Sequence, residues 1–178
     1  MKIGKSFFLF ITCLLILPAA AMAGETDKED SPLKKGSFFP ETGITLPKAD
    51  VLIIQIFSMY CPHCQKEAPA LNDFYEKIEA DPLLRDRIKL IGIGAGNSEY
   101  EVDFFRKKYD VRFPLFPDAD FAIHRKIGEV RTPYFVGVTF AENGKPLIFH
   151  SHLGGIGTPE EFLDSIIKES GMKQGGEK

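Results

Sequence analysis

The stretch "VLIIQIFSMYCPHCQKEAPALNDFYEKIEA", Val51 to Ala80, governs how the rest of the chain is read. Val51 to Phe57 is an almost unbroken apolar run rich in β-branched residues, the pattern of a strand buried on both faces. Further on, Ala68, Leu71, Phe74, Tyr75 and Ile78 share one face of a helix, and Pro69 is expected to kink it. Cys61-Pro62-His63-Cys64 stand at the junction between strand and helix. A cysteine pair at this spacing reads as half of a metal clip, a structural staple or a redox centre.

Working outward, the 178 residues suit one domain of ordinary size, and 44% hydrophobic with 26% charged residues is a globular balance. Lys2 and Lys5, the apolar run Phe7–Ala21 and the small residues of Ala21-Met22-Ala23 read as a secretory signal peptide over residues 1–23, cut before Gly24. The rival is an uncleaved N-terminal membrane anchor, for which the apolar run is short. A lipoprotein signal fits poorly, because Thr12 precedes Cys13. The expected location is periplasmic or otherwise exported.

Cleavage alters two counts. Net charge moves from -3 to -5, since losing Lys2 and Lys5 leaves 20 basic against 25 acidic residues. Such a surface has no electrostatic footprint for nucleic acid. Cys13 is also lost, which leaves Cys61 and Cys64 alone. Disulfides persist in exported proteins, but a bridge across so short a loop adds little chain-entropy stabilisation. The pair therefore reads as chemical rather than structural.

Residues 24–47 are polar and rich in Gly and Pro, and read as a flexible lead-in with an edge strand near Ser37–Phe39. A domain over 48–171 follows, and 172–178 is expected to be a disordered tail. "IKLIGIGA", Ile88–Ala95, is a second strand, while "GIGAG", Gly92–Gly96, reads as a loop without the spacing of a dinucleotide site. Ser98 and Glu101 form a capping box ahead of a helix. "VRFPLFPD", Val111–Asp118, is extended, and a short helix is expected over residues 119–127. "TPYFVGVTF", Thr132–Phe140, is a strand, and Asn143-Gly144 turns it into an antiparallel return. Thr158, Pro159 and Glu161 open a last helix that Gly171 ends. The order βαβα, ββ, α predicts an α/β fold: a mixed central sheet flanked by helices.

At the start of a helix, free N–H groups and the helix dipole favour an anion. Cys61 should therefore be the exposed, low-pKa nucleophile, and the more buried Cys64 should resolve its mixed disulfide. Pro62 and His63 lie between them. A protonated imidazole at His63 would stabilise the thiolate further, making the disulfide form a stronger oxidant.

The strand Val51–Phe57, Cys61-Pro62-His63-Cys64, Pro69, Thr132-Pro133 before a strand, and the Asn143-Gly144 hairpin leading to Gly154-Gly155 together resemble the thioredoxin superfamily, from about Lys48 to Gly171. "FSMYCPHC" looks like the DsbA-type oxidases. The βα insertion Ile88–Tyr109 after the active-site helix, and the short span from Cys64 to Pro133, look like the exported TlpA/ResA-type group. The resemblance implies a thioredoxin fold and a thiol:disulfide oxidoreductase with no bound cofactor, its redox-active disulfide being Cys61–Cys64. It implies that Pro133 is a cis-proline facing the cysteines, that Thr132 and Pro133 dock substrate, and that Pro62, His63 and Thr132 tune the potential. The implied partners are protein thiol or disulfide substrates and a redox partner protein that could be membrane-bound, with the protein itself a monomer. One departure stands out. The family commonly places a buried acid six residues before the first cysteine, and this chain has Gln55, which cannot act as a general base. Glu67 is the nearest alternative acid.

Other chemistry fits less well. Zinc needs a second ligand pair, yet His124 is isolated, and His150 and His152 are expected to face opposite sides of their strand. A copper-binding assembly factor would use the same two thiols, but such proteins typically have a wider cysteine spacing. A peroxiredoxin-type peroxidase would want threonine shortly before its cysteine, where Ser58 is a weak substitute. Two directions stay open: reduction of exported proteins, such as cytochrome c apoproteins, and general disulfide formation.

Overall fold

The computed structural model describes Met1 and residues 33–173. The expected signal peptide, the first part of the lead-in and residues 174–178 lie outside the described residues. The elements run β1 (Val51–Phe57), α1 (Pro62–Ala80), β2 (Ile88–Ala95), α2 (Glu99–Lys108), β3 (Leu115–Asp118), α3 (Ala122–Lys126), β4 (Tyr134–Phe140), β5 (Pro146–Leu153) and α4 (Pro159–Ser170).

Alternation along β1 explains the layering, since successive side chains point to opposite faces. Leu52, Ile54 and Ile56 join Ile91, Ile93, Val136 and Val138, with Ile123 of α3 and Ile127 just beyond it. Val51, Ile53 and Phe57 join Cys64, Ala68, Leu71 and Phe74 of α1 and Phe162 and Ile166 of α4. Both faces are covered, which is why the strand reads as continuous hydrocarbon. Each fully buried phenylalanine, Phe57 and Phe74 among them, contributes about 1.5–3 kcal/mol by leaving water.

The sheet has five strands in the order β3-β2-β1-β4-β5. β1 pairs parallel with β2, and β2 with β3; β4 is antiparallel to both β1 and β5. This mixed sheet between helices is the thioredoxin arrangement. Local sequence sets the helix ends. Ser98 and Glu101 cap α2 reciprocally, Thr158 accepts from the Glu161 N–H at the start of α4, and Gly171 closes α4 at φ +68°.

Four readings need correction. The "GIGAG" stretch is mostly strand: Gly92, Ile93, Gly94 and Ala95 belong to β2. A Cβ at Gly92 would sit 2.5 Å from the Leu115 side chain, so glycine here lets β3 approach. The helix expected over 119–127 is confined to α3, because the Asp118 carboxylate accepts from the Ile123 and His124 N–H groups and fixes a late start. Part of the supposed flexible lead-in is packed, with Leu33 fully buried and Phe39 3% exposed, while the edge strand expected near Ser37–Phe39 is present as a single bridge from Phe38 to Leu147 of β5. The start of the tail is packed too. Met172 lies against the core, and the Lys173 carbonyl accepts from Arg87 Nη1 at 2.8 Å.

Candidate active site

Strand β1 delivers the chain to the turn Ser58–Tyr60, and α1 begins at once. Cys61 is the N-cap of α1 with extended backbone (φ -81°, ψ 115°), and Pro62 occupies the first turn. Both backbone polar groups of one residue in the turn are held. The Met59 N–H donates to Asn97 Oδ1 at 2.8 Å, and the Met59 carbonyl accepts from Gln65 Nε2 at 2.8 Å. The Cys61 N–H donates to the Ser58 carbonyl at 3.0 Å. The first sulfur thus sits on a clamped loop rather than a floppy one.

Both cysteines are free thiols: Cys61 is half-buried and Cys64 fully buried. Burial pulls the Cys61 thiol up, but hydrogen bonds from the Thr132 side chain, from the Cys64 and His63 backbone N–H groups and from the Cys64 thiol outweigh it, holding Cys61 below the ordinary thiol value. The Thr132 carbonyl, 3.3 Å from Cys61 Sγ, opposes this, because a thiol can donate to it and a thiolate cannot. The N–H donors win. Cys64 goes the other way: burial, chiefly, pushes its thiol up to about 12, against a hydrogen bond from the Ser58 backbone.

The Thr132–Pro133 peptide bond is cis, and Pro133 is buried at the start of β4. His63, Lys66, Glu67, Arg131, Thr132, Pro133, Leu153, Gly154 and Gly155 line a groove of about 580 Å³ beside the pair. The structure therefore brings together Cys61, Cys64, His63, Thr132 and Pro133. The contact from His63 to the Cys61 sulfur is made by its backbone N–H.

Gln55 is 1% exposed on β1, and neither polar atom of its side chain has a hydrogen-bond partner among the described residues. By alternation it shares the face of Ile53 and Phe57, within the layer that holds Cys64. Glu67 is engaged elsewhere, its Oε1 accepting from the Ile156 N–H at 2.6 Å and tying α1 to the loop before α4. His150 and His152 were expected on opposite faces. Residues two apart on a strand share a face, and their rings lie 6.2 Å apart. Even so, no group of three or more potential metal ligands occurs among the described residues.

Asn97 and Gln65 escape a reading of the sequence. Nothing in "GAGN" marks its asparagine as fully buried under a turn 38 positions away. Gln65 reads as an ordinary polar position in the first turn of a helix.

The AhpC/TSA family matches residues 44–151, more than half of the chain. The thiol-disulfide oxidoreductase ResA of Bacillus thuringiensis is 26% identical over 86 residues, which cover 48% of this chain and 47% of that protein. The match thus spans about half of that relative's length. The sporulation thiol-disulfide oxidoreductase A of Bacillus subtilis is 28% identical over 121 residues, covering 64% of this chain and 68% of that protein. Among solved structures, StoA from Bacillus subtilis superposes with a TM-score of 0.53 at 24% identity, over 66% of this chain and 83% of that one.

Proposed function

Since the chain belongs to the AhpC/TSA family, we propose that it is an exported thiol:disulfide oxidoreductase acting on protein partners through Cys61 and Cys64. One observation carries the reading. The accessible sulfur at the start of α1 is held below the ordinary thiol value, while the sulfur one turn inward is buried and pushed up to about 12. An accessible thiolate attacks, and a shielded thiol waits until the mixed disulfide brings an electrophilic sulfur to it.

In the reducing direction, the Cys61 thiolate attacks one sulfur of a substrate disulfide. A Cys61–substrate disulfide forms, and the other substrate sulfur leaves as a thiolate. The Cys64 thiol then loses its proton, which the departing thiolate takes up, and attacks Cys61 Sγ. The Cys61–Cys64 disulfide forms, and the second substrate sulfur leaves and is protonated by water. Two electrons pass from the protein to the substrate, and a dithiol redox partner restores the reduced pair. No bound cofactor enters this sequence. Thr132 and Pro133 form the wall against which an extended substrate segment docks, and the Thr132 backbone N–H, which has no partner among the described residues, is available to a substrate carbonyl.

Reduction of particular exported proteins, cytochrome c apoproteins among them, is the version implied by the resemblance to the exported TlpA/ResA-type group, and the similarity to two proteins named thiol-disulfide oxidoreductases supports the chemistry common to both directions. The lowered Cys61 thiol supports a second version, disulfide formation, because a stabilised thiolate makes the disulfide a stronger oxidant. Known poises of such pairs span roughly 150 mV, worth about 7 kcal/mol for two electrons. The reduction potential of the Cys61–Cys64 couple, measured against glutathione, decides between them. A value near that of thioredoxin sinks the oxidase version, and a value near that of the strong oxidants sinks the reductase version. A chain that neither reduces nor oxidises any protein disulfide removes both.

A further inference from the structure

The groove beside Cys61 has an uneven charge. Lys66, one turn beyond Cys61 on the exposed side of α1, and Arg131, just before the Thr132–Pro133 bond, both line it and both are exposed. Neither makes an ion pair or hydrogen bond among the described residues. Elsewhere cations commonly have acid partners, as in Lys35–Glu169, Lys77–Glu160, Arg87–Asp50 and Arg112–Glu76. The groove has one carboxylate of its own, on Glu67, which the Ile156 N–H holds in place without cancelling its charge, so the two cations outnumber it two to one. A chain with net charge -3 thus holds two uncommitted positive charges beside its reactive sulfur. The same groove also offers buried Pro133 and the partly exposed side chain of Leu153.

Charges arranged this way select partners and steer their approach more than they add raw affinity. The local field opposes the net charge of the molecule, so general electrostatics would repel an acidic partner that the groove attracts. We propose that this groove is a specificity site in which Lys66 and Arg131 select partner segments carrying Asp or Glu beside the reacting cysteine. The proposal rests on the oxidoreductase reading and names the substrate class for it.

The test uses the reduced full chain and three peptides that differ only in the four residues flanking a single cysteine: all Asp, all Gln or all Lys. Each cysteine carries thionitrobenzoate as a mixed disulfide. The Cys61 thiolate attacks the peptide sulfur, and thionitrobenzoate leaves as a coloured thiolate. Each rate is divided by the rate with 2-mercaptoethanol, which removes the intrinsic reactivity of the peptide. The Asp peptide should react about tenfold faster than the Lys peptide at low salt, from two charge contacts in a partly solvated groove. The gap should narrow in 1 M salt, where screening acts within roughly 3 Å. In the double variant Lys66→Glu, Arg131→Glu the order of the two peptides should invert. Equal rates for the three peptides, or an unchanged order in the double variant, overturn the proposal while leaving the oxidoreductase reading intact. Failure of all three peptides to react sinks that reading and the proposal with it.

Discussion

Cys61 and Cys64 are one helical turn apart, yet they occupy different media. The first stands at the end of a helix, half in water, with backbone N–H groups turned towards it. The second is sealed in the layer of Leu71, Phe74 and Phe162, where a charge is expensive. The same element with the same kind of side chain thus gives one sulfur fit to attack and one fit to wait. A helix N-terminus alone is a weak device; its contrast with a hydrocarbon interior three residues away turns two thiols into an ordered pair.

The most drastic way to break this contrast is to remove each sulfur in turn. Cys61→Ser should bring insulin disulfide reduction down to background. Cys64→Ser should still attack and should accumulate a mixed disulfide visible on non-reducing gels. Equal behaviour of the two variants would show that the assigned order is wrong.

Titration gives the next largest effect. Iodoacetamide labelling of Cys61 in the Cys64→Ser protein should rise with a midpoint below the ordinary thiol value of 9.0. In Cys61→Ser, Cys64 should stay unlabelled until the pH approaches about 12. Removing the neighbouring thiol perturbs both, so the separation between the midpoints is the quantity to compare.

Gln55 sharpens the interior side of the comparison. A buried amide without partners costs about 1–3 kcal/mol, so Gln55→Leu should raise the unfolding free energy read from a urea curve by an amount in that range or less. A clear loss of stability would mean that the amide is hydrogen-bonded in solution. Glu67 tests the opposite case, a carboxylate in use. Glu67→Gln should cost about 1 kcal/mol through the weakened bond to the Ile156 N–H, measured by the same unfolding curve.

The smallest effect lies far from the sulfurs and keeps their titration from being confused with unfolding. Burial pulls the Glu169 carboxyl up, but Lys35, Ser165 and His150 together hold it at about 2. Burial likewise lowers His150 from 6.5. Both folded values lie below the unfolded ones, so both groups favour folding at neutral pH. The His150 share is lost as pH drops below 6.5, and the Glu169 share between 4.5 and about 2. Thermal melts from pH 7 to pH 2.5 should fall across these windows, and should fall less in Lys35→Met.

The parts legible in the sequence were those with a local cause. β1 and β2 follow from continuous apolar runs, and α2 from its reciprocal cap, because each signal lies within a few residues of what it controls. Cys61-Pro62-His63-Cys64 was legible for the same reason. What stayed hidden joins distant positions: Asn97 under Met59, Glu67 on Ile156, and the segment from Leu33 to Phe39 on the sheet. The pairing of His150 with His152 on one face needed only the period of a strand.

The contact of that segment with β5 has a consequence for life in a crowded compartment. β5 is an outer strand of the sheet, and such a strand invites pairing with another chain. Here the invitation is answered from within: the Gly36 N–H donates to the Ile148 carbonyl, the Ile148 N–H to the Ser37 carbonyl, and the Phe39 N–H to the Pro146 carbonyl. At the far side, β3 is only Leu115–Asp118 and carries Pro117, which offers little to a growing fibril. On the proposed function, the protein would meet partly unfolded chains as a matter of course. With its own sheet margins guarded, it can handle them without being recruited into their aggregates.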